Sequence, residues 1–384
     1  MVVIDVDSHW ELAREGEDPS ARMTRFQEVL VGDIYGQVPR GQWPSSEQLL
    51  PPSLVEMFSS PAADVTRSRP GAAEIAGRLA WCDRVGIDYQ FVLGGGLTGL
   101  EFKIEDPVAR RRALGAANER LLGALEAHSD RFSPVVTLDL TDLDLAIADL
   151  ERSRARGSRA YNLRAVPPGG ISYTHPHFDR LWSATVDLGM VAYLHIGNAP
   201  AYFDAGWANL GLEGKGEAGR AEVIRLSNVA RMQSGETLLA ALAYGGVFDR
   251  HPNLTVLVAE LWASWIPFLV YRLNGTTHPD SKPNPVLGAW PYKMGAGDML
   301  RRNVRVTVLP TPDQDAETIL QEPGMLAFSS DYPHQEGSTT PIEDLQPVLE
   351  RLDPATRAQF MGGNMLEVFE RMGDPLPVAS RMPA

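Results

Sequence analysis

One cysteine, Cys82, is all the sequence contains, so no intramolecular disulfide can form and a thiolate metal cluster is excluded. Set in Ala80-Trp81-Cys82-Asp83, within a helical stretch, it reads as a small buried hydrophobe and not as a nucleophile. Excess positive charge is also lacking: 49 acidic residues against 35 basic ones leave a formal charge of -14. That balance repels phosphate backbones and anionic membrane surfaces, so neither nucleic acid nor membrane is an expected partner. No apolar run approaches the roughly twenty residues needed to span a bilayer. The opening Met1-Val2-Val3-Ile4-Asp5-Val6-Asp7 has none of the basic segment, long apolar core and small-residue cleavage site of a secretory leader, and a cytoplasmic protein is expected. Low-complexity tracts and repeats of fixed period are absent as well.

What the sequence does hold is 384 residues, 44% apolar and 22% charged, enough for a sizeable core. Short β-rich apolar runs alternate with longer stretches of helical period, the pattern of a parallel sheet wrapped by helices. Eight such runs stand out: Val2 to His9, Tyr89 to Gly95, Phe132 to Leu140, Ser158 to Ala165, Met190 to Gly197, Leu254 to Glu260, Val304 to Pro310 and Met325 to Pro333. Helices are expected between most of them, at Asp106 to His128, Asp142 to Arg156, His177 to Leu188, Glu236 to Phe248 and Thr340 to Arg351. Eight strand-helix units predict an α/β fold, a (β/α)8 TIM barrel, filling residues 1–373 as one domain. Three segments exceed the minimal repeat, at about 12–68, 199–234 and 274–300. They are read as insertions on the loops at the carboxyl ends of the strands, serving as lids, specificity walls, subunit contacts or plain decoration. The proline-containing tail 374–384 is expected to be an extended arm or a frayed end.

Chemistry concentrates at the strand ends. In the first run Asp5, Asp7 and His9 share one parity, and Val2, Ile4 and Val6 share the other. Side chains alternate across a strand, so the three polar groups are expected to face together into the barrel. Two carboxylates and an imidazole buried side by side are too costly unless a cation lies between them. Val191, Tyr193 and His195 form the matching row of the fifth run, and Ala327, Ser329 and Asp331 that of the eighth. Each row ends in a side chain able to hold a metal, so Asp7, His9, His195 and Asp331 are the expected ligands. Two imidazoles and two carboxylates suit one divalent ion, zinc first and manganese beside it. A lone barrel histidine is ordinarily a hydrogen-bonded core residue; the agreement of three strands in parity and in end favours the metal.

The segments Ile4-Asp5-Val6-Asp7-Ser8-His9-Trp10-Glu11, Tyr193-Leu194-His195, Gly245-Gly246-Val247-Phe248-Asp249-Arg250-His251-Pro252-Asn253-Leu254 and Ser329-Ser330-Asp331-Tyr332-Pro333-His334 resemble the amidohydrolase superfamily. The narrower resemblance is to its branch containing aminocarboxymuconate semialdehyde decarboxylase and the resorcylate-type decarboxylases, and it runs from Ile4 to Gly363-Asn364-Met365-Leu366. It implies a barrel with one catalytic metal, held by the first-strand pair, the fifth-strand histidine and the eighth-strand aspartate, and a homodimer.

Two residues depart from that pattern. Asp7 stands where much of the superfamily carries the first histidine of His-x-His. In Ala259-Glu260-Leu261-Trp262, Glu260 replaces the histidine that handles protons in the characterised decarboxylases. It is open to four roles: a further ligand, a base acting on water, a partner fixing an imidazole tautomer, or a cap of the following helix. Binuclear members of the superfamily bridge two ions with a carbamylated lysine on the fourth strand. The lysines here are Lys103, Lys215, Lys282 and Lys293, none at a predicted strand end, which favours a single ion. The fourth run instead offers Asn162 and Arg164 on one parity, and Arg164 either grips a substrate carboxylate or joins a structural ion pair.

His334, three residues after Asp331, is a candidate for contact with the substrate or with a ligand. Trp10, Trp207, Trp262, Trp265 and Tyr332 are candidates for an aromatic substrate wall or for core packing. His128, His175, His177 and His278 read as exposed, and His251 as structural.

Two reactions suit such a centre. A carboxy-lyase would act on a small carboxylated aromatic or unsaturated substrate, with a protonated Asp331 delivering its proton to carbon as carbon dioxide leaves. A hydrolase would use Asp331 or Glu260 to take the proton of a metal-activated water that attacks a carbonyl or imine. The resemblance and Arg164 favour the first, and Glu260 favours the second. A barrel that binds a ligand without turnover is the remaining alternative.

Overall fold

The computed structural model describes residues 1–11, 69–94, 104, 106–201, 207, 217–278, 285–286, 288–310 and 316–378. The expected insertion at 12–68 lies outside the described residues, as do parts of the other two. Eight parallel strands follow chain order: β1 Ile4–Trp10, β2 Tyr89–Gly94, β3 Phe132–Thr137, β4 Ala160–Asn162, β5 Val191–His195, β6 Val256–Ala259, β7 Val304–Val308 and β8 Leu326–Phe328. Main-chain bonds close the ring between β8 and β1, from Asp331 N–H to the Asp7 carbonyl (2.8 Å) and from His9 N–H to the Tyr332 carbonyl (2.7 Å). With helices interleaved, this is the (β/α)8 barrel that the alternation predicts. Most strands end short of the predicted runs, and the residues that follow them, Glu260 after β6 and Asp331 after β8 among them, lie at the mouth.

The helices follow local signals. Asp106 and Asp142 cap Pro107–Leu125 and Leu143–Ala155 by accepting from the N–H groups of Ala109 and Leu145. The helix expected at Glu236 to Phe248 proves to be the end of a longer one, Glu217–Tyr244, separated at left-handed Gly246 (φ 71°) from Val247–Arg250. The helix expected at Thr340 to Arg351 splits into Pro341–Asp344 and Gln346–Leu349, since Pro347 has no N–H to continue the ladder. No described helix is long and apolar enough to cross a membrane.

Two apolar layers result. Val3, Val92, Val136, Leu194, Val258 and Val306 face the helices, while Ile4, Val6, Phe91, Tyr193, Leu257 and Ala327 fill the barrel. Met365, Val368 and Phe369, on the helix Asn364–Arg371, plug the amino-terminal end, and Leu376 and Val378 join them. The tail therefore differs from the expected arm or frayed end as far as Val378: two apolar side chains are buried, and Asp374 pairs with Arg154 and Arg159.

β1 breaks the alternation on which the parity argument rests. Between Asp5 and Ser8 it advances three residues while β2 advances two, from Gln90 to Val92. The extra residue is a bulge, and it shifts the side on which later residues point. Ile4 and Val6 fill the barrel below it, while Asp7 and His9 face the mouth above it. Asp5, expected inside with them, is instead outside the barrel wall, where it accepts hydrogen bonds from Gln90 Nε2 (2.6 Å) and from Ser330 Oγ (2.6 Å) and N–H (2.9 Å).

Candidate metal centre

The seam that closes the barrel is where the polar side chains meet. Asp7 and His9 leave β1 at that seam, Asp331 follows β8, His195 ends β5 and Glu260 follows β6. His9 Nε2 lies 3.2 Å from Asp331 Oδ1 and 3.7 Å from Asp7 Oδ1, and His195 Nε2 lies 2.7 Å from Glu260 Oε2 and 4.0 Å from Asp7 Oδ1. All five residues are buried. Tyr193, below His195 on β5, donates its hydroxyl to Asp7 Oδ1 at 2.9 Å, and the Gly197 N–H, 3.1 Å from His195 Nδ1, orients that ring.

Four atoms in this cage make no well-directed hydrogen bond: Asp7 Oδ2, His9 Nε2, His195 Nε2, whose 2.7 Å approach to Glu260 Oε2 is an ion-pair contact, and Asp331 Oδ2. Leaving one such group buried and unsatisfied costs about 1–3 kcal/mol, more when it is charged. Four together make sense when a cation takes their lone pairs, so the residues fit a divalent ion. One donor atom each from Asp7, His9, His195 and Glu260 lies within 4.8 Å of all the others, and a second such group comprises His9, Asp331 and His334. Glu260 thus stands in the tight cage, with Asp331 to the side between His9 and His334. A third group, Glu260, Asp331, His334 and Glu336, extends toward solvent.

Backbone strain marks the same place. The described non-glycine residues with left-handed φ are Glu260 (59°), Trp262 (53°) and Asp331 (51°), each costing roughly 1–3 kcal/mol that the surroundings must hold. The Glu260 N–H is anchored on Thr307 Oγ1 at 3.2 Å, and the kink returns its carboxylate to His195. The loop after Asp331 folds back so closely that a Cβ on Gly337 would sit 2.3 Å from the Asp331 carbonyl oxygen.

The buried charges perturb one another. Burial, opposed by His195 and reinforced by Glu260 and Asp331, pushes the Asp7 carboxyl well above the usual carboxylate range. Burial pulls His9 well below the usual imidazole value, with His334 and His195 adding to the fall. For His195 burial pulls down too, but Glu260, Asp7 and Asp331 outweigh it and the net shift is upward. His334 also rises well above the usual value despite burial, because Asp331 (3.0 Å from Nδ1) and Glu11 (3.5 Å from Nε2) hold its proton.

Behind the wall, Arg78 is fully buried on the helix Ile75–Val85. Its guanidinium donates to the carbonyls of Gly71 (2.8 Å) and His9 and to Gln90 Oε1 (3.4 Å), and it lies over the rings of Tyr332 (5.0 Å) and Trp10 (5.8 Å). Gln90 passes the contact to Asp5, which holds Ser330 beside Asp331. One buried network therefore ties both sides of the seam.

Among the other residues expected at the site, Asn162 ends β4 with its amide on Thr137 Oγ1, and Arg164 follows half-buried at the mouth. Trp262 is half-buried on the strained turn. Trp10, expected as a substrate contact, packs instead on the helix-facing layer, because it follows inward-facing His9 by one residue. Tyr332 stacks on Trp81 at 3.8 Å and Trp265 donates to the Leu261 carbonyl, so both are packing residues, while Trp207 is exposed. His175, His177 and His278 are exposed, His128 is half-buried, and His251 contacts Asp179. Cys82 is buried with its thiol pushed up to about 12, mainly by burial, as expected of a core residue. Arg78 was legible only as an arginine three and four residues before buried Trp81 and Cys82; Glu11 and Glu336 gave no pattern at all.

A model of the amidohydrolase family matches residues 4–371 of the chain. Similar solved structures include a dihydroxybenzoic acid decarboxylase from a Polaromonas species with bound manganese and the inhibitor 2-nitroresorcinol. It is 19% identical with a TM-score of 0.62, covering 96% of this chain and 97% of that one. A 5-carboxyvanillate decarboxylase from Sphingomonas paucimobilis is 17% identical with a TM-score of 0.64, and a 2,6-dihydroxybenzoate decarboxylase from Rhizobium is 17% identical with a TM-score of 0.62. Each covers 96% of this chain and 99% of its own. At these identities the likeness establishes the barrel and leaves the substrate open. The family match, which runs over nearly the whole length and includes every residue of the buried cage, makes this chain a member of the amidohydrolase family.

Proposed function

We propose that the chain is a metal-dependent carboxy-lyase that removes carbon dioxide from a small carboxylated aromatic or unsaturated acid. The observation that carries this reading is the convergence of four buried atoms that make no well-directed hydrogen bond, on Asp7, His9, His195 and Asp331, at the mouth of the barrel. The decarboxylases among the structural relatives support the direction of the chemistry. Asp7, His9 and His195, with Asp331 or Glu260 completing the set, would hold a divalent ion, which would supply positive charge to offset the charge that develops as the carbon–carbon bond breaks. Asp331 is the proton carrier to carbon, and His334, 3.0 Å away, is the group that resupplies it. Arg164 and Asn162 bind the substrate and Trp262 forms its wall, whereas Trp10 acts on the site only through Arg78. The ion is zinc in this reading; the added carboxylate of Glu260 and the manganese bound to the Polaromonas enzyme support testing manganese beside it. The partners are a small-molecule substrate and a second copy of the chain, the homodimer being carried over from the resemblance.

A hydrolase is the second reading. It is favoured by the 2.7 Å contact of Glu260 with His195, which leaves a carboxylate poised as a base on water. Product analysis in oxygen-18 water separates the two when metal-loaded protein is screened against hydroxylated benzoates and unsaturated dicarboxylic acids. Carbon dioxide release with no solvent oxygen in the organic product supports the lyase; oxygen-18 in that product sinks it.

A further inference from the structure

The tight cage does not use every metal-competent group at the seam. Asp7, His9, His195 and Glu260 each bring a donor atom within 4.8 Å of the others, and Asp331 stands outside that group. Its Oδ1 is shared by His334 Nδ1 at 3.0 Å and His9 Nε2 at 3.2 Å, while its Oδ2, fully buried, has no hydrogen-bond partner. Asp331 belongs to a second set of donors, with Glu260, His334 and Glu336, whose atoms also lie within 4.8 Å of one another.

Donor type, spacing and charge all fit this second set to an ion. Three carboxylates and an imidazole suit manganese or zinc. Two donors bound to one such ion, each about 2.0–2.2 Å from it, lie roughly 3.0–3.5 Å apart, and His334 Nδ1 meets Asp331 Oδ1 at 3.0 Å. The two sets together hold four carboxylates, on Asp7, Glu260, Asp331 and Glu336. A divalent ion in the cage offsets two of those charges, and a proton on His334 offsets a third. A second divalent ion in place of that proton brings the sum to zero. The loop that carries His334 and Glu336 is also held in place. The His334 N–H bonds the Asp331 carbonyl at 2.9 Å, the Ser338 N–H bonds the Ser330 carbonyl at 3.0 Å, and Arg69 donates to the Pro333 carbonyl at 3.0 Å. Glu336 is exposed, so this set opens to solvent where the cage is closed.

We propose that Glu260, Asp331, His334 and Glu336 form a second, weaker site for a divalent cation, with Glu260 shared between it and the cage. No lysine takes part. The site is the weaker one because its ion enters beside another cation, displaces the proton between His334 and Asp331, and orders an exposed carboxylate. One consequence rests on the carboxy-lyase reading: an ion here occupies the pair that carries the proton to carbon, so excess metal inhibits. The test is titration of the chelator-stripped, full-length protein with manganese chloride, the free ion being counted by its solution EPR signal. Wild type should bind two equivalents, the second at least about tenfold more weakly. Glu336→Ala, a change at an exposed position, should weaken the second by about 100-fold and leave the first, and the melting temperature without metal, unchanged. A single equivalent bound by wild type up to millimolar manganese would overturn the site. So would a second equivalent that Glu336→Ala leaves as tight as in wild type, which marks an adventitious ion only, or a variant that loses the first ion as well. Carbon dioxide release is read in parallel. It should fall as the second equivalent binds to wild type, and Glu336→Ala should keep at that concentration the rate it has with one equivalent. No release with two-step binding intact removes the carboxy-lyase reading, and the inhibition with it, and leaves the site; release with one-step binding removes the site alone.

Discussion

Replacing Glu260 by glutamine removes one charge from the cage and keeps the shape of the side chain. Its carboxylate is 2.7 Å from His195 Nε2, and its donor atom is within 4.8 Å of those of Asp7 and His9. At ~4 Å and an effective dielectric of ~20, a pair of unit charges interacts by about 4 kcal/mol, and a divalent ion doubles that figure. Desolvation offsets most of it. Residues that only orient a metal ligand already cost about 10- to 100-fold in affinity when removed, so a direct ligand should lose at least about 100-fold, or about 2.7 kcal/mol. Metal-free stability should move little, since the lost attraction to His195 is offset by the lost repulsion that helps to raise the Asp7 carboxyl. Competition with a fluorescent chelator gives the metal affinity, and thermal melting after chelation gives the stability. Wild-type affinity with turnover lost would refute the ligand role and make Glu260 a base; wild-type values for both would remove it from the chemistry.

Three further outcomes follow from the same geometry. Arg78→Lys replaces a fork that serves Gly71, Gln90 and His9 with a single point charge; urea unfolding should show a loss of about 3 kcal/mol, and metal affinity should fall with it, whereas unchanged affinity would make Arg78 purely structural. Asp7 and His195 have raised pKa values without metal, so an incoming ion must displace their protons. Affinity is then full above those values and falls as pH drops through them, by about tenfold per unit for each proton displaced, and a flat profile in chelator competition from about pH 8 to about pH 5 would contradict the assignment. Truncation after Gly373 exposes the barrel floor covered by Leu376 and Val378 and removes the Asp374 ion pairs; calorimetry should register a loss of about 3–6 kcal/mol from the two apolar side chains, and an unchanged melting temperature would mean that the plug contributes nothing.

The barrel was legible because its signal is repeated: eight apolar runs at helical intervals leave few alternatives, and β1 to β8 fall inside or within a residue of them. His195 and Asp331 were legible because β5 and β8 keep their alternation up to the mouth. β1 does not. Its bulge sends Asp5 outward and keeps both Val6 and Asp7 inward, and an inserted residue leaves no mark in a pattern of period two. Asp7 and His9 therefore lie together at the mouth although β1 does not alternate between Asp5 and Ser8. Glu260 was visible as a substitution, but its left-handed backbone, which turns the carboxylate to His195, is set by long-range packing and by Thr307. The Arg78 network depends on tertiary contact among β1, β2 and β8 and has no local signature beyond an arginine on an apolar helix face.

Anomalous diffraction at the metal edge, from crystals of the protein purified with its native ion, tests the cage most directly. One strong peak is expected about 2.0–2.3 Å from His9 Nε2, His195 Nε2 and an Asp7 oxygen, completed by Glu260 or Asp331. No peak, or a peak elsewhere with these atoms hydrogen-bonded to water, would contradict a metal centre at the seam.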